Sequence, residues 1–243
     1  MKVLVTGANG MLGQDLCPIL EDFGFDSIET DCANLDITNK IIVNEVFETI
    51  KPDYAVHCAA YTNVDKAEED IATASLINVK GTENIARACA NIDIPIVYVS
   101  TDYIFDGTKQ TPYLITDTPN PINNYGLTKY QGEEMVKKLC NKYFITRTSW
   151  LYGHHGKNFV ETMIALKDKE VLKVVDDQIG CPTWTVELSN AIVSLLQTDN
   201  YGTYHTCGSG STSWYGFAKE IFDYLSGRTN GQNFAGCPYA VMG

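Results

Sequence analysis

The sequence predicts an α/β protein with a doubly wound parallel sheet and a smaller C-terminal lobe. Short apolar runs alternate with longer helical patterns through residues 1–152. This alternation is typical of parallel strands that are joined by helical crossovers. The apolar runs are rich in Val and Ile and alternate little with polar residues, as strands buried on both faces do. We therefore expect one large sheet domain followed by a smaller unit.

The elements of the N-terminal part follow in order from the same periodicities. The predicted strands are residues 2–6, 26–30, 54–58, 94–100 and 143–148. The predicted helices are residues 11–23, 38–50, 65–70, 72–91 and 125–140. A long segment with three Pro, residues 102–124, separates the fourth strand from the last of these helices. Loops of that length are usually functional or disordered.

After residue 152 the pattern loosens, and Gly and Pro turns separate the elements. Helices are predicted at residues 158–168, 186–197 and 213–225, and short strands at residues 171–175 and 203–206. We assign residues 153–226 to a substrate-binding lobe whose contacts are discontinuous. Residues 227–243 show no periodicity, and we set them apart as an atypical tail.

Composition and charge limit the partners. With 44% hydrophobic and 20% charged residues, the 243-residue chain matches an ordinary globular protein. Its formal net charge of −12 argues against nucleic acid and against an anionic membrane surface as partners, because both require a positive footprint. The chain starts without a signal-peptide pattern, no apolar run reaches membrane-span length, and the eight Cys form no C-x-x-C pair. We expect a reduced, soluble, cytoplasmic protein.

A glycine-rich turn lies between the first predicted strand and the first predicted helix. Its sequence is Gly7-Ala8-Asn9-Gly10-Met11-Leu12-Gly13. Glycines there let the backbone approach a pyrophosphate, which then lies at the helix N-terminus. The context predicts a Rossmann-type, NAD(P)-binding domain at residues 1–152, with Gly7, Asn9, Gly10 and Gly13 at the cofactor. The G-x-x-G-x-x-G spacing points towards a short-chain dehydrogenase type of site.

Residues that follow the next two strands could also contact a dinucleotide. Asp31 ends the second strand, where a carboxylate could accept from the adenosine ribose 2′-hydroxyl and would repel a 2′-phosphate. It could equally be a turn residue. Asp36 could reach the adenine edge or cap the following helix. The run Cys58-Ala59-Ala60-Tyr61 leaves room for a cofactor, although its small residues also suit close helix packing.

A tyrosine and a lysine lie four residues apart on the helix predicted at residues 125–140. Tyr125 and Lys129 therefore share a helix face. A free Tyr has a pKa of about 10, which a nearby ammonium lowers, so we expect Lys129, helped by a cationic nicotinamide ring, to activate Tyr125 for acid–base work. Ser100 and Thr101 end the preceding strand, and both could offer a hydroxyl to a substrate oxygen. Strand alternation points them to opposite faces, so only one can serve.

Six strings in the chain match one known family. They are GANGMLG (residues 7–13), AAYTNVDKAE (59–68), VSTDYIFDG (99–107), NNYGLTKYQGE (123–133), RTSWLYG (147–153) and DDQIGCPTW (176–184). With them the chain resembles the extended short-chain dehydrogenase/reductase superfamily and, within it, the dTDP-4-dehydrorhamnose reductase family. The resemblance runs from Met1 to about Leu225. The Arg/Pro-rich segment with which this family continues is not recognisable in residues 227–243, so we expect an atypical or truncated C-terminus.

The resemblance implies reduction of the C4 keto group of dTDP-4-dehydro-6-deoxy-L-mannose to dTDP-L-rhamnose, with NADPH or NADH as the cofactor. Its implied catalytic residues are Thr101, Tyr125 and Lys129, with Thr in place of the superfamily's commoner Ser. Its implied cofactor contacts, besides Tyr125 and Lys129, are Met11, Leu12, Asp31, Asp36, Ala59, Ala60 and Tyr61. Its implied substrate contacts are Thr62, Val64, Thr101, Asp102 and Trp150. The expected partner is the dTDP-4-keto-6-deoxy sugar, bound by a monomer or homodimer.

Two rival functions stay open from the sequence. One is an NDP-sugar epimerase or dehydratase of the same superfamily, although no Glu follows Asp102 as in such dehydratases. The other is a non-catalytic NADP-binding regulatory subunit, against which Thr101, Tyr125 and Lys129 argue. No metal site is expected, because the adjacent His154 and His155 cannot share a helix face. Trp150 could stack on the nucleotide base or deoxysugar, or it could be a core residue.

Overall fold

Six parallel strands form the central sheet of the protein. The structure is a computed structural model that describes residues 1–227. Numbered in chain order, the six strands are β1 (Lys2–Thr6), β2 (Asp26–Thr30), β3 (Tyr54–His57), β4 (Ile96–Thr101), β5 (Tyr143–Thr148) and β9 (Gly202–His205). They pair in the order β2-β1-β3-β4-β5-β9, and each pair is parallel.

Helices cover both faces of this sheet. They are α1 (Met11–Asp22), α2 (Lys40–Ile50), α3 (Val64–Glu69), α4 (Ile71–Ser75), α5 (Thr82–Asn91), α6 (Asn124–Leu139), α7 (Phe159–Ala165), α8 (Thr185–Leu196) and α9 (Trp214–Leu225). Val3 packs in a core with Leu16 of α1 and Leu188 of α8, whereas the next strand residue, Leu4, packs in a second core with Phe47 of α2. Both faces of β1 are therefore buried, which confirms the α/β fold with a doubly wound, Rossmann-type parallel sheet.

The strand order places a crevice at the carboxyl ends of β1 and β3. The chain runs outward from β1 to β2 and then crosses back to β3 on the other side of β1. Connections that leave β1 and β3 therefore diverge, and open α/β sheets bind ligands at such a point. The glycine-rich turn follows β1, and the Cys58–Tyr61 run follows β3.

The helix predicted at residues 72–91 is not continuous. It is divided into α4, a π-helical segment at Leu76–Gly81, and α5. Single π-helical turns inside α-helices are frequent at functional sites. Here the turn contains Asn78, a buried polar residue whose partners lie beside the cavity described below.

Two strands predicted in the C-terminal part differ from the structure. The strand predicted at residues 171–175 is wrong, because in the part of the chain that the structure describes these residues pair with no strand and Val171 remains 73% exposed. Short strands form instead at β7 (Ile179–Gly180) and β8 (Thr183–Trp184). The strand predicted at residues 203–206 exists as β9, but it pairs with β5 and thus belongs to the central sheet instead of the smaller lobe.

Small elements make up the remainder of the C-terminal part. Strand β6 (Leu151–Tyr152) pairs with β8, β10 (Thr212–Ser213) pairs with β7, and α7 packs on α9. The division into residues 1–152 and 153–226 stays a prediction, and the tail predicted at residues 227–243 lies, except for Gly227, outside the described residues. Within residues 1–227, every helix is too short or too polar to cross a membrane.

Candidate active site

A cavity of about 780 Å³ runs across the carboxyl ends of β1, β3, β4 and β5. This volume lies in the range typical of small-molecule and cofactor sites. Every predicted site residue except Tyr61 lines it: Gly7, Asn9, Gly10, Met11, Leu12, Gly13, Asp31, Asp36, Ala59, Ala60, Thr62, Val64, Thr101, Asp102, Tyr125, Lys129 and Trp150. Residues that are far apart in the sequence are thus brought to one space.

The glycine-rich turn leaves an open cradle at the start of α1. Gly7 has a φ of +70°, and a Cβ on it would lie 2.8 Å from the Ala59 backbone nitrogen. A Cβ on Gly13 would lie 2.5 Å from the Ala8 backbone. Gly10 caps α1 without a side-chain hydrogen bond, so side chains do not occupy the N–H groups of the first turn. These residues fit a pyrophosphate, which such N–H groups bind.

Asp31 is held on the cavity wall just after β2. Its carboxylate accepts from the Asn9 side-chain amide and from the Ala33 N–H at 2.7 Å, while its own N–H donates to Asn34 Oδ1 at 2.8 Å. Asp31 is therefore a turn residue and also lines the cavity. Each carboxylate oxygen has a further lone pair, which leaves Asp31 able to accept from a ribose hydroxyl.

Asp36 organises the turn that precedes α2. Its Oδ1 accepts from the Thr38 N–H at 2.9 Å and from the Thr38 hydroxyl at 2.7 Å. The N-cap of α2 is Asn39, whose side chain accepts from Ile41 and Ile42. Asp36 therefore does not cap the helix, the alternative that the sequence left open, and its side chain lies at the cavity wall.

The loop after β3 is fixed by a residue that the sequence analysis missed. Asn78 Oδ1 accepts from the Tyr61 N–H at 2.8 Å, and Asn78 Nδ2 donates to the Tyr61 carbonyl at 3.1 Å. The same Nδ2 lies 3.1 Å from the Thr128 hydroxyl. Tyr61 thus holds the loop in place through its backbone, while its neighbours Ala60 and Thr62 line the cavity. The sequence signal that could have identified Asn78 is a polar residue in the middle of the helix predicted at residues 72–91.

The two hydroxyls at the end of β4 have different partners. Ser100 donates to Glu133 Oε1 at 2.6 Å, inside a buried ion pair between Glu133 and Arg147. Thr101 donates to Asp102 Oδ1 at 3.1 Å and accepts from the Tyr103 N–H at 3.3 Å. Of the two, Thr101 is therefore the hydroxyl that remains beside the Tyr125 ring.

Tyr125 is held in its neutral form. Burial raises the pKa of its phenol well above the ordinary value, and a hydrogen bond with Thr101 opposes the rise only in part. Desolvation penalises the phenolate and outweighs the lowering hydrogen bond. The expectation that Lys129, helped by a cationic nicotinamide ring, lowers this pKa stays a prediction. Tyr125 also packs edge-on against Tyr103, with ring centroids 5.5 Å apart.

Lys129 is buried behind the cavity wall. Its Nζ donates to the Val99 carbonyl at 2.7 Å and lies 4.2 Å from the centre of the Tyr98 ring. Burial lowers the pKa of Lys129 to about 7, although the Glu133 carboxylate opposes this shift. A lysine in this state carries a charge that responds to what is bound next to it.

Asp102 has an elevated pKa beside the same hydroxyl. Burial raises the pKa of its carboxyl to about 6, and the hydrogen bond from Thr101 works in the opposite direction. A hydroxyl has a single proton to donate. Thr101 can therefore give it to Asp102 or to a bound oxygen, and protonation of Asp102 releases it.

Trp150 lines the same cavity as the glycine-rich turn. Its backbone has a φ of +47°, which is unusual for a residue with a Cβ and is found where surrounding structure enforces it. Its ring stacks on Trp214 of α9, with centroids 3.5 Å apart and planes at 8°. Trp214 was not singled out in the sequence, because its partner lies 64 positions away in the chain.

The adjacent histidines have different neighbours. His154 lies edge-on to Trp184, and His155 Nε2 lies 3.5 Å from Asp15 Oδ1. Within residues 1–227, no group of three or more His, Cys, Asp or Glu is placed to hold a metal ion. Structural metal sites in proteins are typically built from sets of several such ligands.

Comparisons with known proteins identify the family of this chain. The family model described as "RmlD substrate binding domain" matches residues 1–239, and so extends past Leu225. A dTDP-4-dehydrorhamnose reductase of Aggregatibacter actinomycetemcomitans is 40% identical over 230 residues, covering 91% of this chain and 78% of that protein. A dTDP-4-keto-6-deoxy-D-glucose reductase of Streptomyces niveus is 41% identical, with the same coverage.

A crystal structure has the same fold. It is a dTDP-4-dehydrorhamnose reductase of Bacillus anthracis in complex with NADP, at 48% identity and a TM-score of 0.90. The alignment covers 93% of this chain and 81% of that one. With a family match over nearly its whole length and relatives at this level of identity, the chain belongs to the dTDP-4-dehydrorhamnose reductase family.

Proposed function

We propose that this protein reduces the C4 keto group of dTDP-4-dehydro-6-deoxy-L-mannose to dTDP-L-rhamnose, with NADPH or NADH as the reductant. The observation that carries the proposal is that Thr101, Tyr125 and Lys129 line the same cavity as the uncapped glycine-rich turn. The reductases and the NADP complex among its relatives support it. A reduced nicotinamide supplies the hydride when it is bound.

In this proposal the protein supplies the proton and holds the developing alkoxide. Tyr125 is the donor, since its raised pKa keeps the phenol protonated until a substrate oxygen beside it becomes basic. Thr101 donates a second hydrogen bond to the same oxygen and stabilises its charge. Lys129 contacts the nicotinamide ribose, and its positive charge favours the tyrosinate that remains after proton transfer.

Substrate contacts come from two sides of the cavity. Thr62 and Val64 come from the segment after β3, and Trp150 comes from the segment after β5. The flat Trp150 face, backed by Trp214, suits the thymine base or the deoxysugar ring. We propose Asp102 as a polar contact to the sugar, because it lies next to Thr101.

The reverse reaction tests the proposal. dTDP-L-rhamnose is supplied with NAD⁺ or NADP⁺, and the absorbance of reduced nicotinamide is followed for the wild type and for Tyr125→Phe. Turnover confined to the wild type supports the reductase and selects the cofactor. Silence of both proteins while the dinucleotide still binds would favour a regulatory subunit, and tightly bound NAD in the purified protein would favour an epimerase or dehydratase.

A second sugar distinguishes substrates within the family. The Streptomyces niveus relative is named for dTDP-4-keto-6-deoxy-D-glucose, so the alcohol product of that sugar is offered in parallel. A higher kcat/KM for dTDP-L-rhamnose supports the proposed substrate. A cytoplasmic location and a monomeric or homodimeric state stay predictions.

A further inference from the structure

A second lysine reaches the cavity from the C-terminal part of the chain. Within residues 1–227, the cationic side chains that line the cavity are those of Lys129 and Lys157. Lys129 is placed behind the nicotinamide end, whereas Lys157 belongs to residues 153–158, which we call the 153–158 loop. This loop lies between β6 and α7. It is not part of the glycine-rich motif that is expected to bind the dinucleotide.

The 153–158 loop lies against the start of α1. Gly156 has a φ of +70°, and a Cβ on it would lie 3.5 Å from the Met11 Cβ. Met11 is the first residue of α1 and directly follows Gly10, the uncapped N-cap. Gly156 is therefore close to the N-terminus of α1, where the glycine-rich turn would hold a diphosphate. Lys157 is the next residue in the chain.

The loop is fixed at both of its ends. Asn158 is buried, donates to the Gly153 carbonyl at 2.8 Å and caps α7 by accepting from the Glu161 N–H at 3.1 Å. His155 Nε2 lies 3.5 Å from Asp15 Oδ1 on α1. The loop conformation thus does not depend on the Lys157 side chain, which is exposed.

Charge favours an anion at this point. Although the chain has a formal net charge of −12, which by itself disfavours anions, no acidic side chain lies in the first turn of α1. The N–H groups of that turn attract an anion but supply only partial charge. A flexible ammonium is a common counterion for phosphate groups.

We propose that Lys157 binds the diphosphate of the dinucleotide, so that the C-terminal part of the chain contributes to cofactor affinity as well as to the substrate side. The sugar nucleotide also carries a diphosphate. The contact between Gly156 and Met11 places Lys157 at the dinucleotide turn, whereas the proposed substrate contacts Thr101 and Asp102 lie at the end of β4. The inference rests on the proposed function only for the identity of the cofactor.

Equilibrium binding without turnover tests the inference. Dissociation constants for NADH, NADPH, ADP-ribose, adenosine and dTDP are measured by titration calorimetry for the wild type, Lys157→Met, Lys157→Arg and the control Lys167→Met. Lys167 follows α7, is exposed and does not line the cavity. Thermal unfolding of each variant verifies that the fold is retained.

We expect Lys157→Met to weaken NADH, NADPH and ADP-ribose by about fivefold, as for a partly exposed charge pair. Adenosine, which has no phosphate, should bind equally well to all variants. The slope of affinity against salt should become shallower, since one screened charge pair is lost. Lys157→Arg should restore affinity, and Lys167→Met should match the wild type.

Two results would overturn the inference. One is unchanged affinity of Lys157→Met for ADP-ribose and both dinucleotides; the other is a loss confined to dTDP, which would assign Lys157 to the substrate. If the wild type itself binds neither dinucleotide, the proposed function fails as well, and the two failures are thus distinguishable.

Discussion

Two regions line the same cavity but are held together in different ways. The ends of β4 and β5 with α6, which carry Thr101 and Tyr125, are long regular elements. A buried pair supports them: Arg147 Nη2 lies 2.8 Å from Glu133 Oε2, and their side chains are 3% and 0% exposed. The surroundings of Trp150 are instead built from the two-residue strands β6, β7, β8 and β10 and from stacked rings such as Trp150 on Trp214.

This difference matches the demands on each side. A proton donor must be held within a fraction of an ångström of its target, which rigid elements achieve better than loops. A ring or a base can be bound by flat aromatic surfaces that tolerate small shifts. We therefore expect changes near α6 to affect turnover or folding strongly, and changes around Trp150 to affect substrate affinity moderately.

The largest effect is expected for Tyr125→Phe. Loss of the proposed proton donor should lower kcat by about 10²–10⁴-fold, while the dissociation constant for NAD(P)H changes little. Steady-state kinetics and cofactor titration measure the two effects. Tyr103→Phe, which keeps the ring packed on Tyr125, is the matched control. Turnover by Tyr125→Phe close to that of the control would contradict the proposed role.

The next largest effect is expected for the buried pair between Glu133 on α6 and Arg147 on β5. Glu133→Gln removes the negative charge that pairs with buried Arg147. It also replaces one of the two carboxylate oxygens that accept from Ser100 and Arg147 with an amide group that cannot accept. Breaking a buried pair costs about 3–5 kcal/mol of unfolding free energy. Urea denaturation measures it. The control is Glu134→Gln, at a neighbouring residue whose side chain is 47% exposed, and it should change stability by less than about 0.5 kcal/mol. Equal losses of stability in both variants would contradict a stabilising role of the Glu133–Arg147 pair.

Much of the first region could be predicted from the sequence, because its information is local. A glycine-rich turn after an apolar strand and the Tyr125–Lys129 spacing each lie within a short window. Alternation along β4 showed that one of Ser100 and Thr101 had to point away, although only the Glu133 contact decides which one. The direction of the Tyr125 pKa shift could not be predicted, since it depends on how far the ring is buried.

The second region could be predicted less well, because its contacts are distant in the chain. The apolar run at residues 171–175 has the composition of a strand, but within residues 1–227 it pairs with no strand, and Val171 and Val175 remain exposed. The strand near residue 203 was found, yet its pairing with β5 is set by the tertiary fold. Trp214, at the start of α9, and Lys157, in the 153–158 loop, are positioned by the loops that precede them. The conformation of those loops cannot be predicted from a local sequence pattern.

A glycine substitution tests the aromatic side of the comparison. A Cβ on Gly180 would lie 2.3 Å from Trp150 Cε2, so Gly180→Ala should push the Trp150 ring off its stack on Trp214. We expect KM for the sugar nucleotide to rise by about fivefold to tenfold, with the cofactor dissociation constant unchanged. Ile179→Ala, at a 67% exposed neighbour, is the control. Equal KM values for Gly180→Ala and Ile179→Ala would contradict a role of Trp150 in substrate binding.

The smallest effect is the pH dependence of stability at Asp102. Since burial raises the pKa of this carboxyl to about 6 from about 3.9 in an unfolded chain, the folded state holds the proton more tightly. The stability that Asp102 contributes is therefore present below pH 4 and is lost as the pH rises from about 4 to 6. The Asp102→Asn variant should not show this pH-dependent loss of stability, because Asn does not titrate.

The melting temperature of Asp102→Asn, relative to the wild type, should consequently rise between pH 4 and pH 7 and then level off. Because the side chain keeps some contact with solvent, we expect about 1 kcal/mol, or roughly 2–4 °C. Lys129 and His57 titrate in both proteins, so the difference between the two melting curves isolates Asp102. A difference that stays constant from pH 4 to pH 8 would mean that the carboxyl of the free protein is not raised. Thr101 would then donate to an ionised Asp102 across that pH range, and a substrate oxygen would have to compete with Asp102 for this proton.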